Sequence, residues 1–142
     1  MAGLLITTLM TVVPTTPAQA AELDGYSWMS VELDVAAVAY DSISGLLYAA
    51  VSGTDVSHGN DLVAIDPLTG VVEWSVAVGS DPTTVEVSDD GSTVYVGLDG
   101  ARSIARVNSA SQSVVATFPL PIDPSYGGLG AEDIAICLLY TS

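Results

Sequence analysis

Apolar residues in this chain come in short runs, each closed by a small cluster of Asp, Ser, Gly or Pro. Ser27 to Leu33 alternates enough to form a strand. Val35-Ala-Ala-Val-Ala-Tyr40 is apolar on both faces, as a strand covered by neighbouring sheets on both sides should be. Asp41-Ser-Ile-Ser-Gly45 is a turn, and Leu46 to Val51 is the returning strand. Leu62 to Ile65 follows, closed by Asp66-Pro67-Leu68-Thr69-Gly70, with Pro and Gly where a tight turn favours them. Val71 to Val78 completes a four-stranded antiparallel unit. Runs of Val, Ile and Tyr with turns this frequent leave no room for a sizeable helix beyond the first residues.

The same order then recurs. Thr84 to Val87, the turn Asp89-Asp90-Gly91, Thr93 to Leu98, Ser103 to Val107 and Val114 to Phe118 form a second unit. Tyr48 to Tyr95 and Gly53 to Gly100 are both steps of 47. From Asp66 to Asn108 the step is 42, so the first unit carries five extra residues in the loop from Gly53 to Asn60. After Pro119, Pro121 and Pro124, Asp133-Ile-Ala-Ile136 opens a third unit, with Ile134 standing 49 after Val85.

A repeat of this length, made of short strands and tight turns, predicts β-propeller blades. The expected fold is all-β. Its four-stranded antiparallel sheets are blade 1 over 35–78 and blade 2 over 79–118, with a linker and the start of a third blade over 119–136. A β-sandwich predicts no such repeat. Closed rings typically take about four to eight blades. Two and a fraction form an incomplete ring, the N-terminal part of a larger one, whose unpaired face and edge invite aggregation. The leader, 21–34, holds Ser27 to Leu33 as a candidate for the strand that completes the last blade.

Both ends are expected to stand outside the folded domain. Gly3 to Val13 is apolar, followed by Pro14, Pro17 and the small-residue site Ala18-Gln19-Ala20. This predicts a signal peptide, 1–20, and hence a secreted, periplasmic or cell-surface protein. The run is too short to span a membrane, and no second one follows. No Lys or Arg precedes it, which points to a true start upstream or to translation read from an internal Met. At the other end, Cys137-Leu-Leu-Tyr-Thr-Ser142, alternatively a short native apolar strand, reads as translated transposon-end adapter, a sequencing artefact over 137–142. The only cysteine is then foreign, and no disulfide, Cys-ligated metal or Cys nucleophile is expected.

Charge narrows the partners. Asp and Glu total 17 against two Arg and no Lys, a net charge of −15. A nucleic acid or anionic membrane would find no positive surface. Solvated turn carboxylates account for most of this charge.

Val78-Gly79, Pro82, Val85, Val87, Asp90-Gly91-Ser92 and Val94-Tyr95-Val96 resemble the YVTN-type extracellular β-propeller repeat. Leu62-Val-Ala-Ile-Asp-Pro-Leu-Thr-Gly70 with Trp74 is similar to the quinoprotein-type repeat, in which an aromatic docks on the blade. Blade 2 has Ala116 at the corresponding place. The resemblance covers Val35 to Ile136. It implies a fold that hosts lactonases, lyases, dehydrogenases and binding scaffolds alike.

Strand order groups candidate chemistry on one rim. The loop between second and third strands and the connection to the next blade lie at the same end of an antiparallel unit. That gathers Asp55, His58, Asp81, Asp99, Arg102, Asp123, Tyr126 and Glu132. His58 is the only histidine, able to serve in acid–base or metal chemistry but most simply exposed. Asp55, Asn60 and Asp61 offer oxygen atoms to a calcium ion, without the spacing of an EF-hand. Trp74, Tyr48 and Tyr95 read as packing between blades. Gly127-Gly128 is a flexible loop rather than a phosphate cradle, since no helix follows. No catalytic constellation is visible, and no cofactor or metal is expected apart from that calcium.

The expected function is therefore a binding or scaffold module for a protein, glycan or small-molecule ligand. The rival is a propeller-type enzyme, a lactonase-like hydrolase or quinoprotein dehydrogenase, whose catalytic groups lie mostly in other blades.

Overall fold

A computed structural model describes residues 19–23, 26–125 and 127–136, with side chains from Trp28 onward. Strands β1 (Gln19–Leu23) and β2 (Tyr26–Ser30) pair antiparallel as a two-stranded sheet of their own. The strand expected over 27–33 to complete a distant blade is thus shorter and is paired with its immediate neighbour, where loop closure costs least. β1 also runs across the expected cleavage point after Ala20.

Two four-stranded antiparallel sheets follow, as the pattern predicts. The first is β3 (Val35–Tyr40), β4 (Leu47–Val51), β5 (Asp61–Ile65) and β6 (Val72–Ala77), in that order. The second is β7 (Pro82–Val87), β8 (Thr93–Leu98), β9 (Ser103–Asn108) and β10 (Ser113–Pro119), again in chain order. Short strands β11 (Ile122–Asp123) and β12 (Gly127–Gly128) pair beyond them. Residues 131–136 belong to no helix or strand.

The sheets stack face to face, joined most closely where β7 lies against β3 and β4. Tyr48, Ala50, Leu62 and Ala64 of the first meet Val85, Val94, Val96, Ala105 and Val107 of the second in one buried cluster. Small alanines on the inner strands let the two backbones approach while the larger side chains fill the space. Tyr48 is only 1% exposed, and its ring stands 5.6 Å from Trp74, tilted by 53°. Burial first, and the neighbouring Asp41 charge after it, push the Tyr48 phenol above its usual range, against a lowering by Ser44.

Register makes the two sheets directly comparable. Ala39, Tyr48, Ala64 and Trp74 face one another across β3 to β6. The matching row in the second sheet is Glu86, Tyr95, Arg106 and Ala116. The first row is covered by the second sheet. The second lies on an open face, where Arg106 is exposed and Tyr95 half-buried. Tyr95, Ile104 and Phe118 there line an apolar cavity of about 340 Å³, with Ile134 to Ile136 along its side.

Turns at the far end follow one recipe. Asp66 Oδ1 accepts the Leu68 N–H and Asp66 Oδ2 the Thr69 hydroxyl, while Asn108 Oδ1 accepts from Ser111 in the second copy. Gly70 and Gln112, 42 positions apart, both hold positive φ. In the β7–β8 turn the hydroxyl of Ser88, then the N–H and hydroxyl of Ser92, hold the Asp90 carboxyl at about 2, below the ordinary 3.8.

A depressed carboxyl pKa stabilises the fold above the unfolded value, and that contribution is lost as pH falls through the folded one. For Asp90 the window runs from 3.8 down to about 2. The urea midpoint should therefore fall across that window, and Asp90→Asn should flatten the fall. An acid limb identical in Asp90→Asn and the parent would remove Asp90 from the explanation.

Among the described residues no helix is long and apolar enough to cross a membrane.

Candidate functional site

The loops expected on one rim do meet. Asn60 stands at the end of the β4–β5 loop, and its Oδ1 accepts the Asp81 N–H at 2.9 Å. Asp81 O in turn accepts the Asp99 N–H at 2.9 Å, Ser80 O accepts from Ala101, and Arg102 O accepts from Leu120. These bonds tie 60, 80–81, 99–102 and 120 into one continuous ledge. Asn60, Asp81 and Arg102 all hold positive φ, a conformation that non-glycine residues seldom adopt.

The longer β4–β5 loop is organised by Asp55. Its Oδ1 accepts the Ser57 and His58 N–H groups, both at 2.8 Å, and Oδ2 accepts the Asp34 N–H at 3.0 Å. The Asp34, His58 and Ser57 amides, in that order, hold the Asp55 carboxyl below its ordinary value. Thr54 donates its hydroxyl to Asp34. Asp55 is thus a loop fastener, and so is Asn60. The oxygens that these two residues would offer to calcium already accept backbone hydrogen bonds. His58 Nδ1 lies 3.4 Å from Asp61 Oδ2, both half-buried, a spacing that orients the ring.

Asp81, Asp99 and Arg102 lie together further along the rim. Beside them is a cavity of about 220 Å³ whose walls are Asp99, Arg102, Gly128, Leu129 and Gly130. Asp99 Oδ1 is buried with no hydrogen-bond partner. Gly128 lies on the Arg102 side chain and Gly130 on the Asp99 carboxylate: a Cβ at 130 would come 2.6 Å from Oδ1. Asp123 Oδ1 accepts the Ser125 N–H at 2.7 Å, and Glu132 is exposed. Tyr126 lies outside the described residues.

The role of Gly130 as a seat for Asp99 has one linear signal, a Gly-rich stretch that reads simply as flexible. Asn60 reads in the sequence as an oxygen donor to calcium, whereas its amide closes the ledge. Among the described residues, no group of three or more His, Cys, Asp or Glu is placed to hold a metal ion.

No protein-family model matches the chain, and no curated protein matches its sequence. Solved structures do match its fold. Kuenenia stuttgartiensis hydrazine synthase is 18% identical with a TM-score of 0.52, covering 74% of this chain and 30% of its own. Apo AztD from Citrobacter koseri is 16% identical at 0.54, covering 68% and 27%. The WD40 repeats of RRP9 are 12% identical at 0.52, covering 72% and 29%. All three are propellers. The fold is a β-propeller.

The chain spans less than a third of each of those chains. Its two sheets are adjacent blades. Ile134 to Ile136 lies on the open face of blade 2, while Val85 and Val87, 49 positions earlier, pack into the cluster shared with blade 1. Ala131 packs on Gly97, where a Cβ would come within 2.8 Å of its own.

Proposed function

We infer that this chain is part of an exported binding or scaffold propeller of the YVTN-like extracellular kind, with the loop rim as its ligand face. One observation carries this reading. The two blades keep the same tyrosine at the centre of their stacking rows but differ on the rim, where Asn60 in one answers to Arg102 in the other and Asp81 answers to Gly130. A repeated four-strand frame beneath varied loops is how a rigid scaffold presents recognition residues. The His58–Asp61 pair favours the enzyme alternative, since an oriented imidazole can act as a general base.

An amide-resolved NMR screen of the full chain against small-molecule, peptide and glycan mixtures tests the reading. Shifts should concentrate at 52–60, 79–83, 99–102 and 120–132. Hits confined to the opposite turns, near 41–46 and 66–71, would reject the rim as ligand face. Lactone hydrolysis abolished by His58→Ala would favour the enzyme.

A further inference from the structure

The repeat supplies an internal comparison between two junctions of the rim. At the first, Asn60 closes the gap itself: its amide packs over Gly53 and bonds to the Asp81 N–H. At the second, 42 positions later, Arg102 takes the place of Asn60, and 49 positions after Asp81 stands Gly130. A guanidinium has no oxygen to offer the linker, and the bond that closes the first junction has no counterpart from that side chain. A cavity of about 220 Å³ opens instead.

The groups around that cavity are of opposite sign. Arg102 brings a cation whose side chain lies beneath Gly128, with a Cβ at 128 placed 2.7 Å from Nη1. Asp99 brings a carboxylate with a buried oxygen to which no protein group donates, an acceptor free for a ligand's donor. Asp99 is held from both sides of its backbone, donating its N–H to Asp81 O and accepting from the Arg102 N–H. The strap above it is lightly fastened. Among the described residues, 127–130 are exposed and pair through Ile122 with Gly128 and Asp123 with Gly127.

We propose that this second junction binds a small zwitterion of the α-amino-acid class. Its ammonium lifts the strap at Gly130 and supplies the donor that Asp99 Oδ1 lacks, while its carboxylate pairs with Arg102. A zwitterion answers both walls at once, where a single charge answers only one. The described lining holds no aromatic ring of the kind that stacks on sugars. Leu129, 43% exposed, offers an apolar contact for a side chain such as that of leucine. This site rests on the rim reading above.

Titration of the full ¹⁵N-labelled chain with L-leucine should shift the amides of Arg102, Gly128 and Gly130, with a dissociation constant on the order of 1 mM. N-acetyl-L-leucine, without the ammonium, and L-leucinamide, without the carboxylate, should each bind about 10-fold more weakly or worse. Asp99→Asn and Arg102→Gln should each lose binding while keeping a dispersed spectrum. The ligand series needs no variant, so a variant that failed to fold leaves the test intact. Equal binding of leucine and either blocked analogue overturns the zwitterion site, and so does the absence of any leucine shift at this junction. If leucine or the wider screen moves other rim loops instead, the rim reading stands and this site falls. If only the opposite turns respond, both fall.

Discussion

Replacing Tyr48 by alanine is expected to cost about 3–5 kcal/mol, whereas the same change at Tyr95 should cost about 1 kcal/mol or less. The two residues occupy the same place in the repeat. Tyr48 is 1% exposed, packed with Leu62, Val94 and Val96 and tilted against Trp74. Its loss leaves an aromatic-sized void between blades that the β-sheet backbones cannot collapse to fill. Tyr95 has no indole across its row, since Ala116 stands there, and it faces a cavity already open. Small domains have a total stability of only about 5–15 kcal/mol, so Tyr48→Ala should remove a large share of it. Urea unfolding midpoints of the two variants check this. Equal losses would mean that the Tyr95 face of blade 2 is as covered as the Tyr48 face of blade 1, contrary to the structure.

Gly91→Ala should cost about 2–4 kcal/mol, well beyond the roughly 1 kcal/mol expected of Gly45→Ala. Both glycines sit at positive φ, +68° and +75°, so both substitutions carry the same backbone penalty. What differs is the neighbour. A Cβ at 45 meets nothing within 4 Å, whereas one at 91 comes 2.8 Å from Asp41 Oδ2. That carboxylate is 2% exposed and is held by the Ile43 N–H at 2.9 Å and the Ser44 hydroxyl at 2.6 Å. Pushing it aside strands a buried charge. In a double-mutant cycle, removing the carboxylate with Asp41→Ala should recover part of the Gly91→Ala loss. Additive losses would place the penalty in the backbone alone.

Much of the architecture is legible in the sequence. The turns Asp41 to Gly45, Asp66 to Gly70 and Asp89 to Gly91 are readable because Asp, Pro and Gly act through their own backbone angles and the nearest N–H groups. Strand limits differ by a residue or so, as with Val72–Ala77 against 71–78. The leader differs in its partner, since period-two alternation says that a strand exists and is silent on which edge it joins. On the rim, strand order correctly places the loops together. It does not reveal that Asp55 is consumed by its own loop, nor that Asp99 is left with a bare oxygen.

The repeat, the four-strand units and their turn chemistry follow from local pattern, because alternation and turn residues act over a few neighbouring positions. The burial of Tyr48 against the openness of Tyr95 does not, and neither does the closed junction at Asn60 against the open one at Arg102. Tyr48 and Tyr95 hold equivalent places in the repeat and differ in what packs across from them, while at the junctions the side chains themselves differ and only the fold shows which gap each one faces. That is settled by contacts between residues some 20 to 50 positions apart, which the stacking of one blade on the next brings together.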